Sequence, residues 1–321
     1  MRSGKELILA TKPFAKEVRG KSWFHTLSTL FLLVCAITGC YVAPFIAVKA
    51  VCSICAGLLM VRMFVIYHDH QHHAILHGSV AANIIMTIYG IYNLAPVSIW
   101  KRSHDHHHKH NSKLFSASIG SYPIATRSKF NRMSDGERRA YLATRHPLTI
   151  ILGYFSMFMF GMCVNSFMSS PKRHIDSLVA LVLHVGVSVL VFIFFGWQAW
   201  LFGIFIPFFI NTAIGAYLFY VQHNFPGVYF SGNSDWKYEV AALESSSFLQ
   251  LSPLGHWITG NIGYHHIHHL NSRIPFYRLP EAMAAIPELQ TAKKVSITAS
   301  NISASLKLKV WDEEKNMMSP L

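Results

Sequence analysis

Two pairs of long apolar runs constrain this chain more than anything else in it. The first pair covers roughly 26–48 and 51–66, the second 177–196 and 200–220. An α-helix rises about 1.5 Å per residue, so ~20 apolar residues cross a hydrocarbon core of about 30 Å. Inside that core the backbone must bond to itself, which continuous runs of this kind do as helices. Composition agrees: 52% of the 321 residues are hydrophobic and only 13% charged, where a soluble domain carries about 25%. The expected fold is an all-α integral membrane protein with four transmembrane helices, interfacial helices and a cytoplasmic helical cap.

The formal charge is +13. The basic residues flank the apolar runs instead of forming one block, so anionic lipid, not nucleic acid, is the partner they fit. Arg2, Lys5, Lys12, Lys16, Arg19 and Lys21 precede the first run. Lys172 and Arg173 precede the third, and further basic residues fill Lys113 to Arg145. The turn inside the first pair holds Lys49 alone, and the turn inside the second, GWQAW, holds no charge. By the positive-inside rule the N-terminus, the middle region and the C-terminus are cytoplasmic. The N-terminal segment is too long for a signal-peptide n-region, and no small-residue cleavage site follows it. The setting is a bacterial inner membrane or an ER-type membrane.

Two more apolar stretches, 80–100 and 148–167, are read as interfacial or re-entrant helices. A single crossing by one of them would put histidine clusters on opposite faces. The chain then divides into a cytoplasmic arm (1–25), a first helix pair (26–66), a histidine-bearing region with interfacial helices (67–176), a second helix pair (177–222) and a cap (223–321). Five cysteines lie in apolar stretches. Cys52 and Cys55 spell C-x-x-C without a strand-turn-helix context, so burial as small hydrophobes is expected.

Histidine is the second anomaly: there are twenty, and they cluster. YHDHQHHAILH (67–77) follows the second apolar run directly. Continued as a helix, it places His68 and His72 about 40° apart on one face, with His73 about 100° further round. WKRSHDHHHKHN (100–111) contains H-x-x-H-H at His104, His107 and His108. GNIGYHHIHHLNSRIPFY (260–277) repeats that spacing at His265, His268 and His269. His223 ends the fourth run, as His68 ends the second. On a helix the i, i+3, i+4 spacing gathers three imidazoles on one face, enough to serve two neighbouring ions. A loose histidine-rich tract explains one such cluster, but not three on one face. His70, His77, His106, His110 and His266 are expected in supporting or surface roles. Imidazole suits iron, copper, zinc and nickel alike. A structural zinc site would need only four ligands and usually some thiolate.

These residues resemble the membrane fatty acid desaturase family, which carries three histidine boxes around a di-iron centre. The boxes match at HDHQHH (68–73), HDHHH (104–108) and HHIHH (265–269). The approach WKRSH and the exit HHLNSRIPFYRLPEAM are similar to the acyl-lipid branch, and the likeness covers roughly residues 20 to 290. The resemblance implies metal ligands at His68, at His72 or His73, at His104, His107 and His108, at His223, and at His265, His268 and His269. Box one departs from the commoner HDCGH or HECGH by its additional histidine.

The resemblance further implies an oxygen-dependent enzyme that removes two hydrogens from adjacent methylenes of an acyl chain. Its cofactors would be two iron ions, with O2 as co-substrate. Such C–H bonds are unactivated, so the oxidising power must come from a metal–oxygen species, while the protein supplies position and exclusion of water. Asp69, Asp105 and Glu244 are candidate acceptors for the second imidazole N–H of a ligand. The substrate is an acyl lipid, or an acyl-CoA or acyl-ACP. No H-P-G-G haem signature and no dinucleotide fingerprint is present, so electrons come from outside, from cytochrome b5 or ferredoxin. Arg127, Lys129, Arg132, Arg138 and Arg139 form a candidate docking face or a stripe against anionic lipid. Two other readings are a di-iron hydroxylase of a lipid or carotenoid and a histidine-rich metal transporter. A transporter would use polar groups within the spans, of which His184 and Asn211 are the main ones.

Overall fold

The computed structural model describes residues 2–114, 122–232 and 235–321. Five α-helices lie in the first 110 residues: α1 (Gly4–Thr11), α2 (Arg19–Val42), α3 (Ile46–Gln71), α4 (Val80–Tyr92) and α5 (Val97–His110). The chain as a whole is mostly helical and divides into two compact units. One holds Val18–Arg102 with Ile151–Ala216, and the other Met1–Glu17 with Ser103–Ile150 and Tyr217–Leu321.

The first unit is the apolar one. Helices α2 and α3 fold back on one another through the short link at Ala43–Phe45. Gly39 allows that approach, because a Cβ there would stand 2.5 Å from the Cys52 Sγ. Nearer the other end, Arg62 Nε donates to Thr29 Oγ1 at 3.2 Å, so the buried guanidinium of α3 is met by a neighbour's hydroxyl.

A second hairpin follows from one glycine. The helical run Ile175–Val221 has 47 residues, about 70 Å if straight, more than twice a bilayer core. It breaks at Gly196, whose φ of 82° and ψ of 171° are accessible to glycine alone. Beyond the break the chain doubles back. Trp200 Nε1 donates to Ser188 Oγ at 2.8 Å, and the His184 ring packs on Phe208, equally far from Gly196 in sequence, at 4.5 Å. Outer faces of both hairpins are apolar and open: Phe31 is 67% exposed and Phe194 73%. Such surface belongs in lipid. Among the described residues there are therefore three helical runs long and apolar enough to cross a membrane, or four if the bent α4–α5 pair is one of them.

Of the two ambiguous stretches, 80–100 is bent. Helices α4 and α5 meet at 92°, at a link that ends in Pro96, which has no N–H to continue a helix. The 148–167 stretch forms a short helix at Pro147–Ile151 and then a wide π-wound helix at Tyr154–Asn165. Gly153 lets it lie close to its neighbour, since a Cβ there would fall 2.9 Å from the Thr212 carbonyl oxygen.

The second unit is polar outside and built around small elements. Helix α1 is tied to it by Arg2, whose Nε and Nη2 grip both carboxylate oxygens of Glu288 at 3.0 and 2.8 Å. Ser134 and Glu137 form a reciprocal cap on the Asp135–Thr144 helix. Two short sheets add to the all-α expectation: a parallel pair, Phe248–Gln250 with Lys294–Ser296, and an antiparallel pair, Val310–Asp312 with Met317–Ser319. Val310 packs with Ala125, Phe130 and Tyr141 in a small core. None of these strands exceeds three residues, too short to leave an alternation in the sequence.

Candidate metal centre

The third histidine cluster forms the helix His265–Leu270. Its i, i+3, i+4 positions put His265, His268 and His269 on one face, as the spacing predicts. His266 faces the other way, and its Nε2 donates to the Leu289 carbonyl at 3.1 Å. That residue is fully buried, and burial pushes its imidazole down to about 4. It pins the helix and is not on the surface. The His269 carbonyl accepts from Tyr238 Oη at 2.6 Å. His223 is held just past the Ile206–Val221 helix, where the flanking Gln222 side chain donates to the Ile262 carbonyl at 2.9 Å.

Four imidazoles of the polar unit close into a ring. Nε2 of His107 is 3.0 Å from that of His223, His223 is 2.9 Å from His265, His265 is 3.1 Å from His269, and His269 is 3.2 Å from His107. A square of such edges has its centre about 2.2 Å from each corner, near the ~2.0–2.1 Å of a metal–imidazole bond. The tautomer of one member is fixed. His223 Nδ1 lies 2.9 Å from the Ser245 carbonyl, which can only accept, so Nδ1 carries the proton and Nε2 presents a bare lone pair. Burial holds the His223 imidazole down to about 4, and those of His265 and His269 well below their ordinary value. All three are neutral at pH 7, as a ligand must be. The residues present therefore fit a transition metal.

A second group stands beside it. His108 Nε2 is 3.1 Å from His104 Nε2 and 3.0 Å from His268 Nε2. The H-x-x-H-H of α5 thus divides, with His104 and His108 in one group and His107 in the other. Among the described residues no cysteine and no carboxylate joins either group.

In the apolar unit His68 and His72 face each other with ring centroids 4.7 Å apart. His68 Nδ1 is 3.1 Å from Asp69 Oδ1, which makes Asp69 the acceptor expected of it. Glu244 is not: its carboxylate pairs with Lys293 Nζ at 3.0 Å near the surface. His73 goes elsewhere. Helix α3 ends at Gln71, His72 keeps helical angles, and His73 turns left-handed with φ 58°. Its Nδ1 meets His77 Nδ1 at 3.1 Å on an exposed face. His106 and His110 stack on each other at 4.0 Å, away from both groups. His70 is buried, not superficial.

Some positions that shape the centre left no signal in the sequence reading. Ser98, one residue into α5, donates from its backbone N to Asp176 Oδ2 at 3.0 Å and touches His174 Nδ1 at 2.8 Å. This tertiary cap fixes the start of the helix that bears box two. Within the apolar unit, Trp100 of α5 packs against His68 at 6.3 Å. A cavity of about 320 Å³ opens among Ile37, Tyr41, Ile88, Tyr92, Leu183 and Phe208. A train of rings, Tyr92 to Tyr89 at 6.3 Å and Tyr89 to Tyr67 at 6.1 Å, leads from it toward His68. His184 bonds to the Tyr154 hydroxyl, and Asn211 Nδ2 donates to Asn93 Oδ1 at 2.8 Å. The two polar groups a transporter would use are engaged with side chains.

Apolar helix hairpins together with converging imidazoles define a class: membrane proteins equipped to hold transition metal through histidine alone. Comparison with known proteins narrows it. The family model described as fatty acid desaturase matches residues 44–300. The chain is 32% identical over 271 residues to the Bacillus subtilis fatty acid desaturase, covering 84% of this chain and 76% of that one. It is 21% identical over 277 residues to the sn-1 oleoyl-lipid 12-desaturase of Picosynechococcus, covering 84% and 77%. It is 25% identical over 249 residues to the sn-1 acyl-lipid omega-3 desaturase (ferredoxin) of Nostoc, covering 72% and 65%. The chain belongs to the fatty acid desaturase family, and it is an oxidoreductase of lipid metabolism.

Proposed function

We propose that this enzyme uses O2 to introduce a carbon–carbon double bond into the acyl chain of a membrane lipid, at two iron ions held by histidine. One ion is held by His107, His223, His265 and His269. The other is held by His104, His108 and His268 with His68 and His72. The observation that carries this reading is the closed ring of four Nε2 atoms with edges of 2.9–3.2 Å. Assigning His68 and His72 to the second ion is supported by the likeness of HDHQHH (68–73) to the first histidine box of the family whose model matches residues 44–300. His73 is left out because its left-handed backbone turns the ring toward His77.

Iron ions bound there would activate O2, the oxidant that unactivated C–H bonds require. The protein does the rest. Ser245 and Asp69 fix the Nδ1 protons of His223 and His68, so that each Nε2 points its lone pair inward. His265, His268 and His269 are each no more than 3% exposed, which keeps water from competing for a reactive site. The apolar cavity beside Tyr92 accepts the methyl-terminal part of the acyl chain. The two hairpins support four crossings, and the placement of the basic residues supports a cytoplasmic side for both termini and the histidines. Electrons come from an external carrier. The relative from Nostoc, whose name includes ferredoxin, supports a small iron–sulfur protein in that role.

The test is lipid profiling by mass spectrometry of cells that express the chain, beside a His268→Ala control. A new acyl species two mass units lighter, absent from the control, is expected. A species sixteen units heavier would replace desaturation by hydroxylation, and an unchanged profile from folded, iron-loaded protein would overturn both.

A further inference from the structure

A desaturation that reduces O2 to water has a balance that the buried histidines alone cannot meet. Two C–H bonds break and one C=C bond forms. O2 takes two electrons from the donor and two from the acyl chain, and it leaves as two waters. Two of the four hydrogens in those waters come from the chain, and two must arrive as protons from solvent. Each turnover therefore needs a way in for two protons and a way out for two waters.

A small cavity of the polar unit touches the histidine ring. It is about 30 Å³ in volume, and His107 and His223 form part of its wall, with Ser112, Tyr122 and Asn224 around the rest. About 10–15 Å³ of this measure holds one water, so there is room for about two. Ser112 carries the second observation. It is 5% exposed, and among the described residues its hydroxyl has no hydrogen-bond partner. Its backbone is left-handed, with φ 63°, a conformation that costs a non-glycine residue on the order of 1–3 kcal/mol. The Ser112 carbonyl accepts from Ser231 N at 3.1 Å. A strained serine that buries an unmet hydroxyl beside a water-sized cavity has one common explanation: the hydroxyl is bonded to water.

We infer that the Ser112 cavity is the water and proton port of the metal centre. An ordered water on Ser112 Oγ links the His107–His223 edge to the polar residues toward the surface, His110 and Lys113, which also line the cavity. Ser112 is a positioning residue: it acts by holding water and does not touch the acyl chain. The inference rests on the oxygen-dependent reading above.

The test uses the full-length enzyme in phospholipid nanodiscs, with Ser112→Ala and Ser112→Gly variants. Ser112→Gly removes the hydroxyl while relieving the left-handed backbone, so it reports even if the alanine variant folds poorly. Enzyme reduced with dithionite and desalted is mixed with oxygenated buffer in H2O and in D2O, and double bonds are counted by mass spectrometry. Both variants should keep wild-type metal content, form the double bond about tenfold more slowly, and show a solvent isotope effect about twice the wild-type value. A density map of the wild type should show water within hydrogen-bonding reach of Ser112 Oγ. A dry cavity in that map, or unchanged rate and isotope effect in Ser112→Gly, overturns the port. Wild-type protein that forms no double bond and binds no metal would instead overturn the desaturase reading, and the map alone would then decide the cavity.

Discussion

His107 and His223 are 116 residues apart in sequence, yet their Nε2 atoms stand 3.0 Å from each other. One sits in the last turn of α5, the other just past an apolar helix that ends at Val221. The bare lone pair on His223 Nε2 must be met there by something positive, either a proton on His107 or a metal ion shared by both rings. Replacing His223 with Ala should therefore lower bound metal from two ions per chain to one and reduce desaturation at least ~100-fold, while helical content by circular dichroism stays unchanged. Two ions retained in the variant would remove His223 from the ligand set.

The cap on α5 gives a second prediction. Asp176 accepts both the backbone N–H and the hydroxyl of Ser98. Asp176→Ala leaves that helix start without its acceptor, at a cost of about 1–2 kcal/mol. It should lower the thermal midpoint in detergent and weaken metal binding together, because the helix it anchors bears His104, His107 and His108. A lower midpoint with full metal affinity would show that the cap only stabilises.

Close packing of the apolar unit is tested at Gly57. A Cβ there would come 2.8 Å from Ile210 Cβ and 3.0 Å from the Pro207 carbonyl oxygen. Gly57→Ala should destabilise by about 1–3 kcal/mol through overpacking, read as a lower thermal midpoint in detergent. Gly186, with nothing within 4 Å of its would-be Cβ, is the control, and alanine there should be neutral or slightly stabilising.

The N-terminal arm is held by a carboxylate whose affinity for protons is lowered by its partner. The Arg2 side chain, then the Arg2 backbone N–H, hold Glu288 down to about 2 from its ordinary 4.5. The unfolded or released arm thus binds more protons than the docked one between those values. The contribution is complete above pH 4.5 and is lost as pH falls toward 2. Hydrogen exchange across residues 4–11 should accelerate over that window. Glu288→Gln should show the accelerated exchange already at pH 7. An arm equally protected in Glu288→Gln would mean that Arg278, which donates to the Pro13 and Lys16 carbonyls, holds it instead.

Much of this was legible in the sequence, and what was not has physical reasons. Helical periodicity placed His265, His268 and His269 on one face, and it put His104 within reach of both His107 and His108. Hydropathy found both hairpins, including the turn at Gly196. The choice between His72 and His73 was not legible. It depends on which residue leaves the helix, and His73 does so by a left-handed φ that is uncommon for any residue but glycine. Ser245 was invisible because a backbone carbonyl, not a side chain, orients His223. The basic stretch read differently as well: Arg127 pairs with Asp312 at 3.1 Å and Arg138 caps the Phe130 carbonyl at 3.2 Å. Part of that charge is structural. Ser112 had no sequence signature at all, since an unmet hydroxyl exists only once a fold has closed around it.

The central claim is that imidazoles drawn from four distant segments bind a pair of iron ions. Elemental analysis of the purified full-length protein, by plasma mass spectrometry against quantitative amino-acid analysis, tests it most directly. The expected result is two iron per chain, falling to one in His265→Ala. Folded protein that forms double bonds yet carries no transition metal would contradict the account.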